Sequence, residues 1–173
     1  MGPTVISGLP AHPLLVHFVV VLVPLTAFLL ILAVCWPYAR HRIGIVAPAT
    51  ALLTLVMVPI TTNAGEWLER RTEPDPLVEI HTELGDQLIY WSAAVFLVAA
   101  VWWVLHNDRV IKWREDRGIA TAPTLAKGIT IVVAVLAVAL SVGSVVQVYR
   151  IGESGARAVW HDQAQTVYPS NDR

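Results

Sequence analysis

A chain of 173 residues is the size of one ordinary domain, yet 55% of it is hydrophobic, only 14% is charged, and the mean hydropathy is +0.60. That composition lies outside the soluble range and excludes a disordered chain or a secreted disulfide scaffold. Twelve Lys and Arg against 13 Asp and Glu give a formal net charge of -1, which offers no electrostatic footprint for nucleic acid. The single Cys35 lies in an apolar run and is expected to be a small core hydrophobe.

Uncharged apolar runs extend from Leu14 to Trp36, Ile43 to Asn63, Leu88 to Leu105 and Ile129 to Gln147. Each approaches the roughly 20 helical residues that cross a hydrocarbon core of about 30 Å. Lipid forces every backbone group to be satisfied within its own segment, so these are read as helices despite their Val, Ile and Thr content. No ten-residue alternation of a membrane barrel is present. The chain is therefore expected to be all-α: one integral membrane domain over residues 1–173, a four-helix up-down-up-down bundle with spans near 14–36, 43–63, 81–105 and 129–150 and a tail at 151–173. The segment before Leu14 has no Lys or Arg, so the first span is expected to be retained rather than cleaved as a signal. Pro24, Pro48 and Pro59 lie inside spans one and two, where each removes a backbone donor and tends to kink its helix. In the fourth span, Ala137 with Ser141 and Ala139 with Gly143 are spaced for close helix packing.

Arg40, Arg42, Arg109, Lys112, Arg114, Arg117 and Lys127 fall on one side of the bundle, against five basic residues on the other. The excess places both termini on the non-cytoplasmic side. Trp67, Trp160, Trp36, Trp102 and Trp103 fit interfacial aromatic belts. The outer side also collects ten of the 13 acidic residues and His12, His17, His81 and His161.

His12 precedes Pro13 and is placed at a helix cap, with His17 one turn inside. An ionisable group facing lipid costs several kcal/mol, so His17 is expected to point into the bundle and, with helices in sequence order, to face His81 across it. Gly85 shares a face with His81 and leaves room for a flat ring or another backbone. Glu66 and Glu69 stand one turn apart at the outer end of the second span; Glu83, Asp86, Glu153 and His161 surround the same region, and Gly152 and Gly155 suggest close contact or a break.

At Gly8-Leu9-Pro10-Ala11-His12-Pro13-Leu14-Leu15-Val16-His17-Phe18, Ala64-Gly65-Glu66, His81 with Gly85, and the Gly152 to Trp160 segment, the chain resembles the bacterial membrane-protein family catalogued as domain of unknown function 2231. Val19 stands where a proline commonly follows that Phe, and Glu153 where a histidine is often found. The resemblance implies a four-span protein, and relatives joined to iron-sulfur or cytochrome modules point by analogy to a bacterial inner membrane and respiratory partners.

Three functions follow from these residues. One is a respiratory accessory subunit carrying haem b, with His17 and His81 as axial ligands and Gly85 at the ring. Another is a transition-metal site of His12, His17, His81 and Glu66, with Glu69, Glu83, Asp86, Glu153 and His161 around it. The third is a cofactor-free assembly subunit or homo-oligomer whose polar cluster is a cap or docking surface. No HExxH, G-x-S-x-G or P-loop pattern points to hydrolysis.

Overall fold

A computed structural model describes residues 4–119 and 123–167, with side chains through His161; residues 168–173 of the tail, Arg173 among them, lie outside the described residues. Four helical segments are long and apolar enough to cross a membrane: His12–Cys35, Val46–Glu69, Pro76–His106 and Pro123–His161.

The chain opens with a two-residue hairpin, β1 (Val5–Ile6) and β2 (Leu9–Pro10), paired antiparallel with Val5 opposite Pro10. Ser7 and Gly8 at its tip both have positive φ, 51° and 81°, as a tight hairpin turn of this hand requires. The Ala11 N–H donates to the Thr4 carbonyl at 2.9 Å, which ties the hairpin to the start of α1 (His12–Cys35). Ala11 is fully buried with Leu15 and Ala64, so this helix start is seated on the end of α3 (Val46–Glu69). The cap residue is Ala11 and His12 is already helical, so the helix starts one position earlier than the sequence suggested.

A short α2 (Pro37–Ile43) turns the chain, and Gly44 ends it at φ 48°. The third span is broken into α4 (Pro76–Asp86) and α5 (Leu88–His106) at Gln87. Asp75 caps α4 by accepting from the Leu77 N–H at 2.8 Å, with Pro76 at the first helical position. The Gln147 side-chain amide donates to the Leu84 carbonyl at 3.0 Å, securing the end of α4 near the break. After α6 (Asp108–Asp116), α7 (Pro123–Val167) runs as one helix, with no break at Gly152 or Gly155.

The spans are arranged in sequence order: α1 packs on α3 and α7, α5 packs on the same two, and α1 barely meets α5 across the diagonal. Apolar clusters fill the centre, one around Leu30, Ala51, Val95, Ala99 and Ala137 and another around Val19, Val23, Val58 and Leu88. Inside them, the Thr54 hydroxyl donates to the Thr50 carbonyl at 2.8 Å, so the 3.1 Å contact with Thr26 must use the Thr26 proton. α1 and α3 stay helical through Pro24 and Pro59.

Close packing at small residues holds in part. Ala137 and Ser141 are fully buried and Gly143 lies against the Trp91 ring, whereas Ala139 is exposed. Two other expectations are corrected. Cys35 is exposed at the end of α1 rather than buried, because it lies off the face that packs on α3 and α7. Trp102 is 4% exposed and belongs to the core, not to an interfacial belt.

Candidate functional site

The end of the bundle formed by the start of α1, the end of α3, α4 and the later part of α7 brings two imidazoles together. The His12 and His81 ring centroids are 6.2 Å apart, at an interplanar angle of 81°. Each ring is half-buried and each is tied to a different neighbouring helix. His12 Nδ1 lies 3.0 Å from the Thr61 carbonyl of α3, and His81 Nδ1 lies 3.0 Å from the Ile151 carbonyl of α7 and 3.2 Å from the Ser154 hydroxyl.

The two seats are built alike. One helical turn beyond the accepting carbonyl stands a glycine, Gly65 after Thr61 and Gly155 after Ile151, and the imidazole lies flush on it. A Cβ would come within 2.9 Å of His12 Cε1 and Nδ1 at Gly65, and within 2.9 Å of His81 Cε1 and 3.1 Å of its Nδ1 at Gly155. Any side chain there would displace the ring, so the close approach depends on glycine.

A carbonyl only accepts, so Nδ1 carries the proton in both rings, and in the neutral form Nε2 keeps its lone pair. Among the described residues neither Nε2 has a hydrogen-bond partner. Glu69 reaches the hydroxyl of Thr82, the neighbour of His81, at 3.4 Å and so brings one carboxylate to the edge of the pair.

His17 does not join them. It lies on the exposed face of α1 beside Phe18 and Leu14, with Nδ1 at 2.5 Å from the Pro13 carbonyl of its own helix. The expectation that it faces His81 is corrected: a hydrogen bond to its own helix near the bundle end lowers the cost of an outward-facing ring. Depth agrees, since His17 lies about 7.5 Å further along α1 than His12 at 1.5 Å per residue. The ring opposite His81 is His12.

Gly85 would meet nothing within 4 Å if it carried a Cβ, so the glycines that receive rings are Gly65 and Gly155 instead. Glu66 is exposed and pairs with Arg70 at 3.5 Å, and Glu153 pairs with Arg157 at 2.6 Å. Glu83, Asp86 and His161 are exposed. Among the described residues no group of three or more His, Cys, Asp or Glu side chains is placed to enclose a metal ion. The sequence singled out His12, His81 and Glu69 but did not read the role of Gly65, Thr61 and Ile151.

Four apolar spans closed around a polar patch at one end define an integral membrane protein. Within that class the chain belongs to the family described as predicted membrane protein (DUF2231), whose pattern it matches over residues 8–168. No curated protein and no solved structure matches it.

Proposed function

We propose that this protein binds a transition-metal ion between His12 and His81 at the membrane surface. The observation that carries the reading is the duplicated seat, in which each Nδ1–H is committed to a backbone carbonyl and each Nε2 is left with no partner among the described residues. Metal-binding histidines nearly always donate their other ring N–H in this way, which fixes the ring and its tautomer. The spacing allows it: with metal–nitrogen bonds of about 2.0–2.1 Å, two imidazole centroids on one ion stand roughly 5 Å apart at a tetrahedral angle and roughly 6.5 Å apart when opposed, and the observed 6.2 Å fits a wide, nearly opposed pair.

Two imidazoles suit Zn, Cu or Ni and leave coordination positions open for water. A site with open positions suits an ion that is exchanged or acted on better than one that only holds the fold together. The excess of basic residues at the other end of the bundle directs this site away from the cytoplasm. Haem carried by His17 and His81 is not the reading favoured, because His17 faces outward.

The test uses the full chain purified in detergent, incubated with Zn²⁺ alone, dialysed and measured by elemental analysis. About one ion per chain is expected, lost in His12→Gln and His81→Gln and kept in His17→Gln. Metal-free wild-type protein, or equal loss in all three variants, overturns the proposal. The inter-helix hydrogen bonds of both rings favour one second reading, a pair of structural locks holding α1 to α3 and α4 to α7. Metal-free protein whose stability falls in the His12 and His81 variants would establish that reading.

A further inference from the structure

At the opposite end of the bundle a cavity of about 110 Å³ opens between the ends of α1 and α5 and the turn from α2 into α3. A water occupies about 30 Å³ of liquid, so the space suits a few waters or one tetrahedral oxyanion. Arg40, His41, Trp102 and His106 line it. Asp108, the acidic residue of the lining, is exposed in the first turn of α6, where water and the helix N-terminus temper its charge.

Arg40 is held in place before any ligand arrives. Its Nε donates to the Ala33 carbonyl at 3.0 Å and one terminal nitrogen to the Val34 carbonyl at 3.2 Å, at the C-terminal end of α1. The guanidinium lies over the Trp102 ring, 4.8 Å from its centroid. His106 stacks on the same ring at 4.1 Å and places its Nδ1 at 2.9 Å from the Trp102 carbonyl. Trp102 itself is 4% exposed, and its indole N–H has no acceptor among the described residues. A buried donor without an acceptor destabilises a fold unless something else supplies the oxygen.

We propose that this cavity binds a phosphate group, with the negative charge lying against the fixed guanidinium of Arg40 and a small turn of the Trp102 ring bringing its sealed, unpartnered indole N–H to one oxygen. A positive charge held by packing, an orphaned donor and a space of oxyanion size are the requirements for such a site. The phosphate could come from the headgroup of an anionic lipid or from free inorganic phosphate. This site stands independently of the histidine pair at the other end.

The full chain is titrated with inorganic phosphate by calorimetry in zwitterionic detergent. Separately it is reconstituted in vesicles of equal phosphatidylglycerol and phosphatidylcholine, and retained lipid is identified by native mass spectrometry. Trp102→Phe keeps an aromatic ring beneath Arg40 and removes only the donor. Phosphate binding that weakens about 5-fold or more in Trp102→Phe supports the site with the free anion as its source. Selective retention of phosphatidylglycerol that Trp102→Phe abolishes supports it with lipid as the source. Arg40→Gln is measured in the same way and carries the comparison if the Phe variant does not fold; a loss of about 10-fold or more is expected. Wild-type protein that binds neither probe, or binding unchanged by these substitutions, overturns the proposal.

Discussion

Gly155→Ala probes the seat of His81 with a single methyl group. The added carbon would stand 2.9 Å from Cε1 and 3.1 Å from Nδ1 of the ring, while ordinary contact begins near 3.4 Å, so the imidazole must retreat by a few tenths of an ångström. Retreat strains a hydrogen bond to the Ile151 carbonyl that is 3.0 Å long. Losing that bond costs about 1 kcal/mol, and overfilling a packed contact adds about 1–3 kcal/mol. Alanine returns up to about 1 kcal/mol of helix propensity. The net expectation is a destabilisation of about 1–3 kcal/mol, read as a lower unfolding midpoint in a detergent titration followed by circular dichroism. Gly152→Ala is the matched control three residues earlier on the same helix, because its Cβ would meet nothing within 4 Å. It should be neutral or slightly stabilising. If the two variants unfold together, the ring does not rest on Gly155 and the argument for a glycine-dependent seat fails.

Gly143→Ala should be the costliest of the glycine variants, since its Cβ would fall 2.2 Å and 2.6 Å from two ring atoms of Trp91; the same titration should place it below Gly155→Ala, and a midpoint at or above wild type would contradict the packing. Thr26→Val removes the donor of a hydrogen bond between α1 and α3. Polar contacts of this kind in membranes average about 0.6 kcal/mol, and a double-mutant cycle with Thr54→Val should return a coupling of that order, with zero coupling as the contrary result. Zinc binding at the histidine pair should weaken as the medium is acidified, because the ion and a proton compete for each Nε2 lone pair; zinc titrations at a series of pH values would show it, and pH-independent affinity would argue against imidazole ligation.

The four spans were legible because hydropathy and length decide insertion almost without reference to packing. α1 is apolar on every side, however, so periodicity could not say which face meets α3 and which meets lipid. That is why the sequence alone points His17 inward and Cys35 into the core, where the packed helix turns both outward. Adjacent tryptophans raise the same difficulty: Trp102 and Trp103 cannot share one orientation, and only the fit against Arg40 and His106 shows Trp102 inside. The glycine seats were legible as residues but not as partners. Which ring meets Gly65 or Gly155 depends on how far neighbouring helices slide past one another, and that offset has no local sequence signal.

The 45 residues of α7 make a helix about 68 Å long, more than twice the roughly 30 Å thickness of a hydrocarbon core. Beyond Ser154 it continues for about 20 Å as far as Val167. Both oxygens that hold His81 belong to this rod, near the point where it leaves the bundle, whereas His12 is fastened to α3. A shift of this rod against the bundle would therefore disturb the seat of His81 and leave that of His12 in place.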